Sequence, residues 1–491
     1  MLEQYQVEHN SQDIYYRSIV GAAEAGARLR LGIRIRTYEP IRQVLVRLWQ
    51  DRTGERLVPL ETKDTEGEQH FYTCWVNLPD HGCLLWYYFI ITAESGTYFY
   101  GNNEEMLGGV GTLSRTAPAS YQITIYNKGA HTPDWFKNAV MYQIFPDRFA
   151  RAGDEIVRKK GAVIRTDWTD DPMYLKDPDT KEIIAYDFFG GNLKGIIGKL
   201  DYLADLGISC IYFNPVFESE SNHHYDTGDY HKIDPMLGDI EDFRTLVKEA
   251  RARGIRIILD GVFSHTGSNS IYFNRQHQYR SIGAYQSKES PYYSWYHFRS
   301  YPNEYDCWWN FDTLPNVNET DPAYMDFVIT GKDSVLHHWM NEGIAGWRLD
   351  VIDELPPTFS KKFFSELKKT NPDAVMIGEV WEDASNKIAY GTPREYLSGN
   401  EMDSAMNYPL RTMMFDFLTG TVDGRQTARR LASQIENYPK ENLYAMMNLI
   451  GSHDVQRAIT VLAGVPYYEG MPAIEQSRVR MTPEQFDLGS R

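Results

Sequence analysis

Residues 27–36 read ARLRLGIRIR, with Leu29, Leu31, Ile33 and Ile35 alternating with arginines and Gly32. A period of two puts every apolar side chain on one face, which predicts a strand with one buried side. Gln43–Trp49, Thr73–Asn77, Trp86–Thr92 and Tyr121–Tyr126 read as further strands, and Arg52–Gly54, Pro79–Gly82 and Ser95–Gly96 supply turns between them. No strong helical pattern interrupts the series, so residues 1–130 are predicted to form an antiparallel β-sandwich. The polar Gly/Pro stretch NKGAHTP, 127–133, marks the boundary.

Beyond it the rhythm changes. Val140–Phe145 is apolar, Asn192–Leu206 has helical spacing, Ile208–Phe213 reads as a buried strand, Asp239–Arg253 as a helix and Ile255–Leu259 as a strand. Ile344–Leu349, Ala374–Ile377, Met402–Met406 and Tyr444–Ile450 continue the series, giving seven strand candidates. Strands alternating with helices predict a parallel α/β sheet over 131–491. Two long polar stretches break the rhythm: Ala150–Asp187, and His265 to about Thr330, rich in Tyr, Trp and Asn. Loops of that length are functional or separately folded, so 265–330 is read as an inserted domain after the third strand.

Composition narrows the partners. The chain has 491 residues, 42% hydrophobic and 14% aromatic, with 34 Tyr and 11 Trp, enough for a sizeable core and for flat ligand-stacking surfaces. Its net charge of −17 repels nucleic-acid phosphates and anionic lipid. No apolar run reaches the ~18 residues a membrane helix needs. The N-terminus MLEQYQVEHNSQD is polar and acidic rather than a secretory leader, which argues for a cytoplasmic location. The four cysteines, Cys74, Cys83, Cys210 and Cys307, have no metal-ligand spacing and are expected as free thiols.

Polar residues recur where the predicted strands end. The third runs into Asp260 and then His265; the fourth carries Arg348 and Asp350; the fifth ends in Glu379 and Trp381; the seventh ends in His453 and Asp454. In a parallel barrel all strand C-termini open on one rim, so these residues would converge there. Their types suit glycoside cleavage. That reaction needs one carboxylate at the anomeric carbon and one carboxylic acid to protonate the leaving oxygen. Arg348 shares a strand face with Asp350 and would hold it ionised, whereas burial beside Trp381 would raise the pKa of Glu379. Asp350 is therefore read as the nucleophile and Glu379 as the acid/base.

The ordered set MYQIFPDRF, IYFNPVFES, HHYDTGDYHKIDP, ILDGVFSH, GWRLDVID, IGEVW and IGSHD resembles the α-amylase superfamily, glycoside hydrolase family 13. The N-terminal part is similar to the starch-binding-type domain, carbohydrate-binding module family 34, of neopullulanases, cyclomaltodextrinases and amylopullulanases. GEVWEDAS and YDCWWNFDTLP look most like the amylopullulanase branch. The resemblance implies a TIM (β/α)8-type barrel. It implies retaining hydrolysis of α-1,4, and in some members α-1,6, bonds in maltodextrin, starch, pullulan or cyclodextrin. Transglycosylation on the same substrates and an inactive glucan-binding fragment are the alternatives. At matching positions it makes Asp454 a sugar-binding and ring-distorting carboxylate, with Asp260 holding Arg348. His265 and His453 would bond hydroxyls of the reacting sugar, and His223 and Tyr225 would grip and stack it. Trp308, Trp309 and Phe311 read equally well as outer sugar contacts or as packing. It also implies that the N-terminal domain either binds glucan or mediates a homodimer, and no required cofactor. Calcium would be held by Asp154 and Asn192 if at all, because Ser264 replaces a ligating Asn and Arg151, Arg158, Lys159 and Lys160 oppose a cation. The chain runs only 37 residues past Asp454, so the last βα unit of the barrel is expected to be missing.

Overall fold

The computed structural model describes residues 2–153, 156–173, 175–176, 183–184, 186–466, 470–476 and 478–491. Two units are distinguished: Met1–Thr132 with Trp381–Asn448, and Pro133–Val380 with Leu449–Arg491. The sequence reading set its boundary two residues earlier and kept 381–448 with the second body.

In the first unit the alternating pattern becomes two mainly antiparallel sheets around one core. Arg28–Arg36 pairs with Gln69–Asn77 in one sheet. In the other, Cys83–Ala93 pairs with Ile41–Gln50 along one edge and with Tyr121–Tyr126 and Gly96–Gly101 along the other. Leu29, Leu31, Ile33 and Ile35 are all fully buried, and they share a core with Leu85, Tyr87, Phe89 and Ile91 of the central strand. Position 32 faces the opposite side, where glycine is needed because a Cβ would come within 2.5 Å of the Phe71 ring. Sequence periodicity missed Gly54–Pro59 and Glu61–Glu66, whose side chains are largely exposed and carry little apolar signal.

The same unit takes in the helix Gly424–Asn437, capped by the Asp423 side chain. Buried Arg17 pairs with Glu436 of that helix at 2.8 Å, which explains why 381–448 groups with the N-terminal residues. Tyr444–Ile450 does not form the expected strand: only one parallel bridge, Met406 to Met447, is present, and Tyr444 and Ile450 are exposed. The apolar run there is too short and too interrupted by Asn448 to hold a ladder.

In the second unit five parallel strands pair in chain order: Met141–Ile144, Cys210–Phe213, Arg256–Gly261, Gly346–Leu349 and Val375–Gly378. Apart from the first strand and Arg256 they are buried throughout, as a parallel sheet requires. Gly346 is needed for this pairing, since a Cβ would lie 2.1 Å from the Val375 carbonyl oxygen. The helix Ile240–Ala252, capped by Asp239, buries Phe243, Leu246, Val247 and Ala250. The bridge His265–Asn316 ties residues 315–317 of the 265–330 segment to its start, and Tyr296–Val317 and Cys307–Pro315 tie them to its middle. Pro483–Ser490 forms a helix with a Thr482/Gln485 capping box. All four cysteines are free. Among the described residues no helix is long and apolar enough to cross a membrane.

Candidate active site

Strand register assembles the site. Parallel pairing sets Asp260 beside Arg348, and Leu349 beside Gly378. Asp350 and Glu379 therefore leave neighbouring strands at the same level. Their backbone N–H groups extend the ladder, Asp350 donating to Gly261 and Glu379 to Leu349, each at 3.1 Å. The chain then reverses at Val351, whose φ of 36° is strained for a β-branched residue. That turn aims the Val351 N–H at Glu379 Oε2, 2.8 Å away.

Fully buried Arg348 is the hub. Its Nη1 donates to Asp260 Oδ1 at 2.9 Å and to Asp350 Oδ1 at 2.7 Å, and its Nη2 lies 2.7 Å from Glu379 Oε2. Asp260 also accepts from Tyr212 at 2.6 Å and from Tyr225 at 2.9 Å. Three buried carboxylates thus share one guanidinium. Burial pushes the Asp350 carboxyl well above the usual range; Arg348 opposes this, and the charges of Glu379 and Asp260 add to it. Burial likewise raises Asp260 against the pull of Arg348. The sequence reading paired Arg348 with Asp350 and Asp260, and the structure adds Glu379. Glu379 has no adjacent base in sequence, but its neighbouring strand delivers it to the same cation. Trp381 stacks instead on Tyr408, with ring centroids 4.0 Å apart and planes at 4°.

The histidines are neutral donors and acceptors. Burial lowers His453 to about 3 and His265 to about 4, and it lowers His223 as well. His453 Nε2 lies 2.8 Å from the Tyr225 hydroxyl, and its ring stacks on Tyr225 at 15°. His265 contacts Ser264 Oγ and the Tyr225 carbonyl at 3.0 and 3.1 Å. His223 Nδ1 accepts from the Tyr225 N–H at 3.1 Å. Asp454 keeps a side chain 30% exposed and lies 3.2 Å from His453 Nε2. Burial, followed by the charge of Glu379, raises its pKa to about 6. Asp260, His223, Tyr225, His265, Arg348, Asp350, Glu379, His453 and Asp454 form one connected cluster.

Sequence reading missed three members. Tyr212 supports Asp260. Gln143 Nε2 lies 2.6 Å from His453 Nδ1 and donates to Asn214 Oδ1 at 3.0 Å. Asn214 in turn donates to the Tyr225 hydroxyl at 3.1 Å. The signal was present, since Gln143 and Asn214 are polar residues at or just past the ends of apolar strands inside motifs already noted.

Of the two calcium candidates, one is described. Asp154 lies outside the described residues. Asn192 Oδ1 accepts from the Gly195 and Ala152 N–H groups at 2.8 and 3.1 Å, capping a helix. Ser264 is engaged with His265. Among the described residues no group of three or more His, Cys, Asp or Glu is placed to hold a metal.

Comparison with known proteins agrees with this geometry. Residues 143–472 match the α-amylase catalytic domain. The amylopullulanase of Thermoanaerobacterium saccharolyticum is 37% identical over 93% of this chain and 38% of its own length. Neopullulanase 2 of Thermoactinomyces vulgaris is 34% identical over 77% of this chain and 60% of its own. The chain thus spans little more than a third of the amylopullulanase. Among solved structures, the cyclic α-maltosyl-(1→6)-maltose hydrolase of Arthrobacter globiformis is 32% identical with a TM-score of 0.58, covering 68% of this chain and 70% of that one. A cyclomaltodextrinase is 27% identical with a TM-score of 0.59, covering 94% and 73%. A family match over most of the chain, together with an arginine-centred carboxylate cluster at the strand ends, places this chain in the α-amylase family of glycoside hydrolases.

Proposed function

We propose that the chain cleaves α-1,4-glucosidic bonds in maltodextrin, starch, pullulan or cyclodextrin with retention of configuration, and α-1,6 bonds as a secondary activity. The observation that carries this is Arg348 touching both Asp350 and Glu379. A shared guanidinium keeps the two carboxyl groups near each other, which fits the roughly 5–5.5 Å spacing of retaining enzymes. Inverting enzymes need room for a water between them.

In this reading Asp350 attacks the anomeric carbon while Glu379 gives its proton to the leaving oxygen. Glu379 then deprotonates the water that releases the sugar. The cluster holds more carboxyl groups than cations, and burial raises the carboxyls of Asp350 and Asp260, which favours a shared proton. The reaction needs that proton on Glu379. Tyr225 offers a ring face to the sugar, and the neutral histidines and Asp454 bond its hydroxyls. No step runs through a metal. The names of the similar proteins, amylopullulanase, neopullulanase and cyclic maltosyl-maltose hydrolase, support an α-glucan substrate.

The test is incubation of the purified chain with maltoheptaose and with pullulan, followed by chromatography. Panose from pullulan is the expected product and reports α-1,4 cleavage; maltotriose would report α-1,6 cleavage. A folded chain that releases no sugar from either substrate would overturn the proposal.

A further inference from the structure

Gln143, on the first parallel strand, meets the carboxylate cluster through one nitrogen. Its Nε2 carries two hydrogens and has two neighbours, Asn214 Oδ1 at 3.0 Å and His453 Nδ1 at 2.6 Å. An amide NH2 only donates. His453 Nδ1 therefore accepts, and because burial keeps the imidazole neutral its one hydrogen sits on Nε2. That nitrogen faces the Tyr225 hydroxyl at 2.8 Å and Asp454 Oδ1 at 3.2 Å. The hydroxyl takes a second hydrogen from Asn214 Nδ2 at 3.1 Å, which fills both of its lone pairs. Burial holds its own proton firmly, and it donates that proton to Asp260 Oδ2 at 2.9 Å. Every hydrogen between Gln143 and Asp260 thus has one direction.

The reverse direction leaves groups unmet. With both amides turned over, Gln143 Oε1 accepts from His453 Nδ1 and from Asn214 Nδ2. The single hydrogen of Tyr225 then faces three acceptors, Asn214 Oδ1, His453 Nε2 and Asp260 Oδ2, and two of them go without. Turning Gln143 alone sets two amide oxygens 3.0 Å apart with no hydrogen between them. We propose that Gln143 is a positioning residue that locks His453 in its Nε2–H tautomer, so that the imidazole presents a donor to Tyr225 and Asp454. A lone pair in that place would repel the Asp454 carboxylate and draw the Tyr225 hydrogen away from Asp260. The effect on turnover rests on the glycosidase reading; the tautomer does not.

The experiment compares wild type, Q143E and Q143M, with melting curves as fold controls. Imidazole 1H–15N correlation spectra of [15N]histidine-labelled protein report which ring nitrogen carries hydrogen, and H453Q identifies the signals of His453. Activity on maltoheptaose is followed from about pH 5 to about pH 8, across the range where an introduced carboxylate and a histidine share a proton. Wild type should show hydrogen on Nε2 and none on Nδ1. Q143E offers Nδ1 only acceptors, so the hydrogen should move to Nδ1. Its kcat/KM at about pH 8 should fall roughly ten- to a hundredfold, the range a lost buried hydrogen bond covers. As pH falls, a proton taken up by the introduced carboxylate and His453 restores the Nε2 donor, so the deficit against wild type should shrink. Q143M removes the donor without adding a charge and should show a mixture of tautomers. Hydrogen on Nδ1 in wild type, or an unmoved Nε2 signal in both variants, overturns the proposal. A Q143E deficit equal at every pH overturns the positioning role, since lost packing does not titrate. If Q143E fails to fold, the wild-type and Q143M spectra decide. If wild type releases no sugar, the glycosidase reading falls and the spectra still test the tautomer.

Discussion

Among the described residues two arginines are fully buried, and they are buried differently. Arg17 faces one carboxylate, Glu436, and fills its remaining reach with the carbonyls of Gly21 and Gln122 at 2.7 and 3.3 Å. Glu436 is completed by Gln12 at 3.0 Å. One charge balances one charge, and nearly every oxygen has a donor. Arg348 faces Asp260, Asp350 and Glu379, with Asp454 adding a fourth acid nearby. Charge there does not balance, and burial drives carboxyl pKa values up. A balanced buried pair fixes structure. An unbalanced one stores a proton and a nucleophile, and is where chemistry is expected.

The largest predicted effect separates the two clusters by activity. Asp350→Asn and Glu379→Gln should each lower kcat/KM by on the order of 10³-fold or more, since each removes a reacting group. Arg17→Met should leave the activity of folded protein close to wild type. Comparable residual activity in all three would erase the distinction.

Next comes stability. Glu436→Gln leaves Arg17 buried without its counter-charge and should cost about 3–5 kcal/mol in urea unfolding. An Arg17→Met/Glu436→Leu double variant should cost less than either single change. Losses that simply add would show that the pair is not acting as a pair.

The smallest effect is a pH dependence. The folded-state pKa of Asp454 is raised to about 6, so folding favours its protonated form. The stability linked to that proton is present in full below about pH 4 and is lost as pH rises through 6. Asp454→Asn should therefore be more stable than wild type at pH 7, by up to about 2 kcal/mol after allowing for partial exposure. The gap should close by pH 4. A gap independent of pH would remove Asp454 from the coupled cluster.

The contrast also explains what the sequence disclosed. The period-two strands of the N-terminal sheets were legible because burial follows alternation there, as in Arg28–Arg36 and Cys83–Ala93. The site residues were legible because strand C-termini collect polar side chains, and motif order then assigned their roles. The contact of Arg348 with Glu379 was not legible. It depends on lateral register between Gly346–Leu349 and Val375–Gly378, which spacing along the chain does not report. Arg17 gave no signal either, because Glu436 lies 419 residues away. Tyr444–Ile450 misled because a short apolar run reads alike as a strand or as partly exposed turn.

The central claim is that Asp350 and Glu379 work as a close, retaining pair. The most direct measurement is proton NMR of the anomeric signal of the first sugar released from maltoheptaose, read before mutarotation. The account predicts the α-anomer first, with the β-anomer growing in later. The β-anomer first would mean a water had entered between the carboxyl groups, and the arginine-bridged pair would not be the catalytic arrangement.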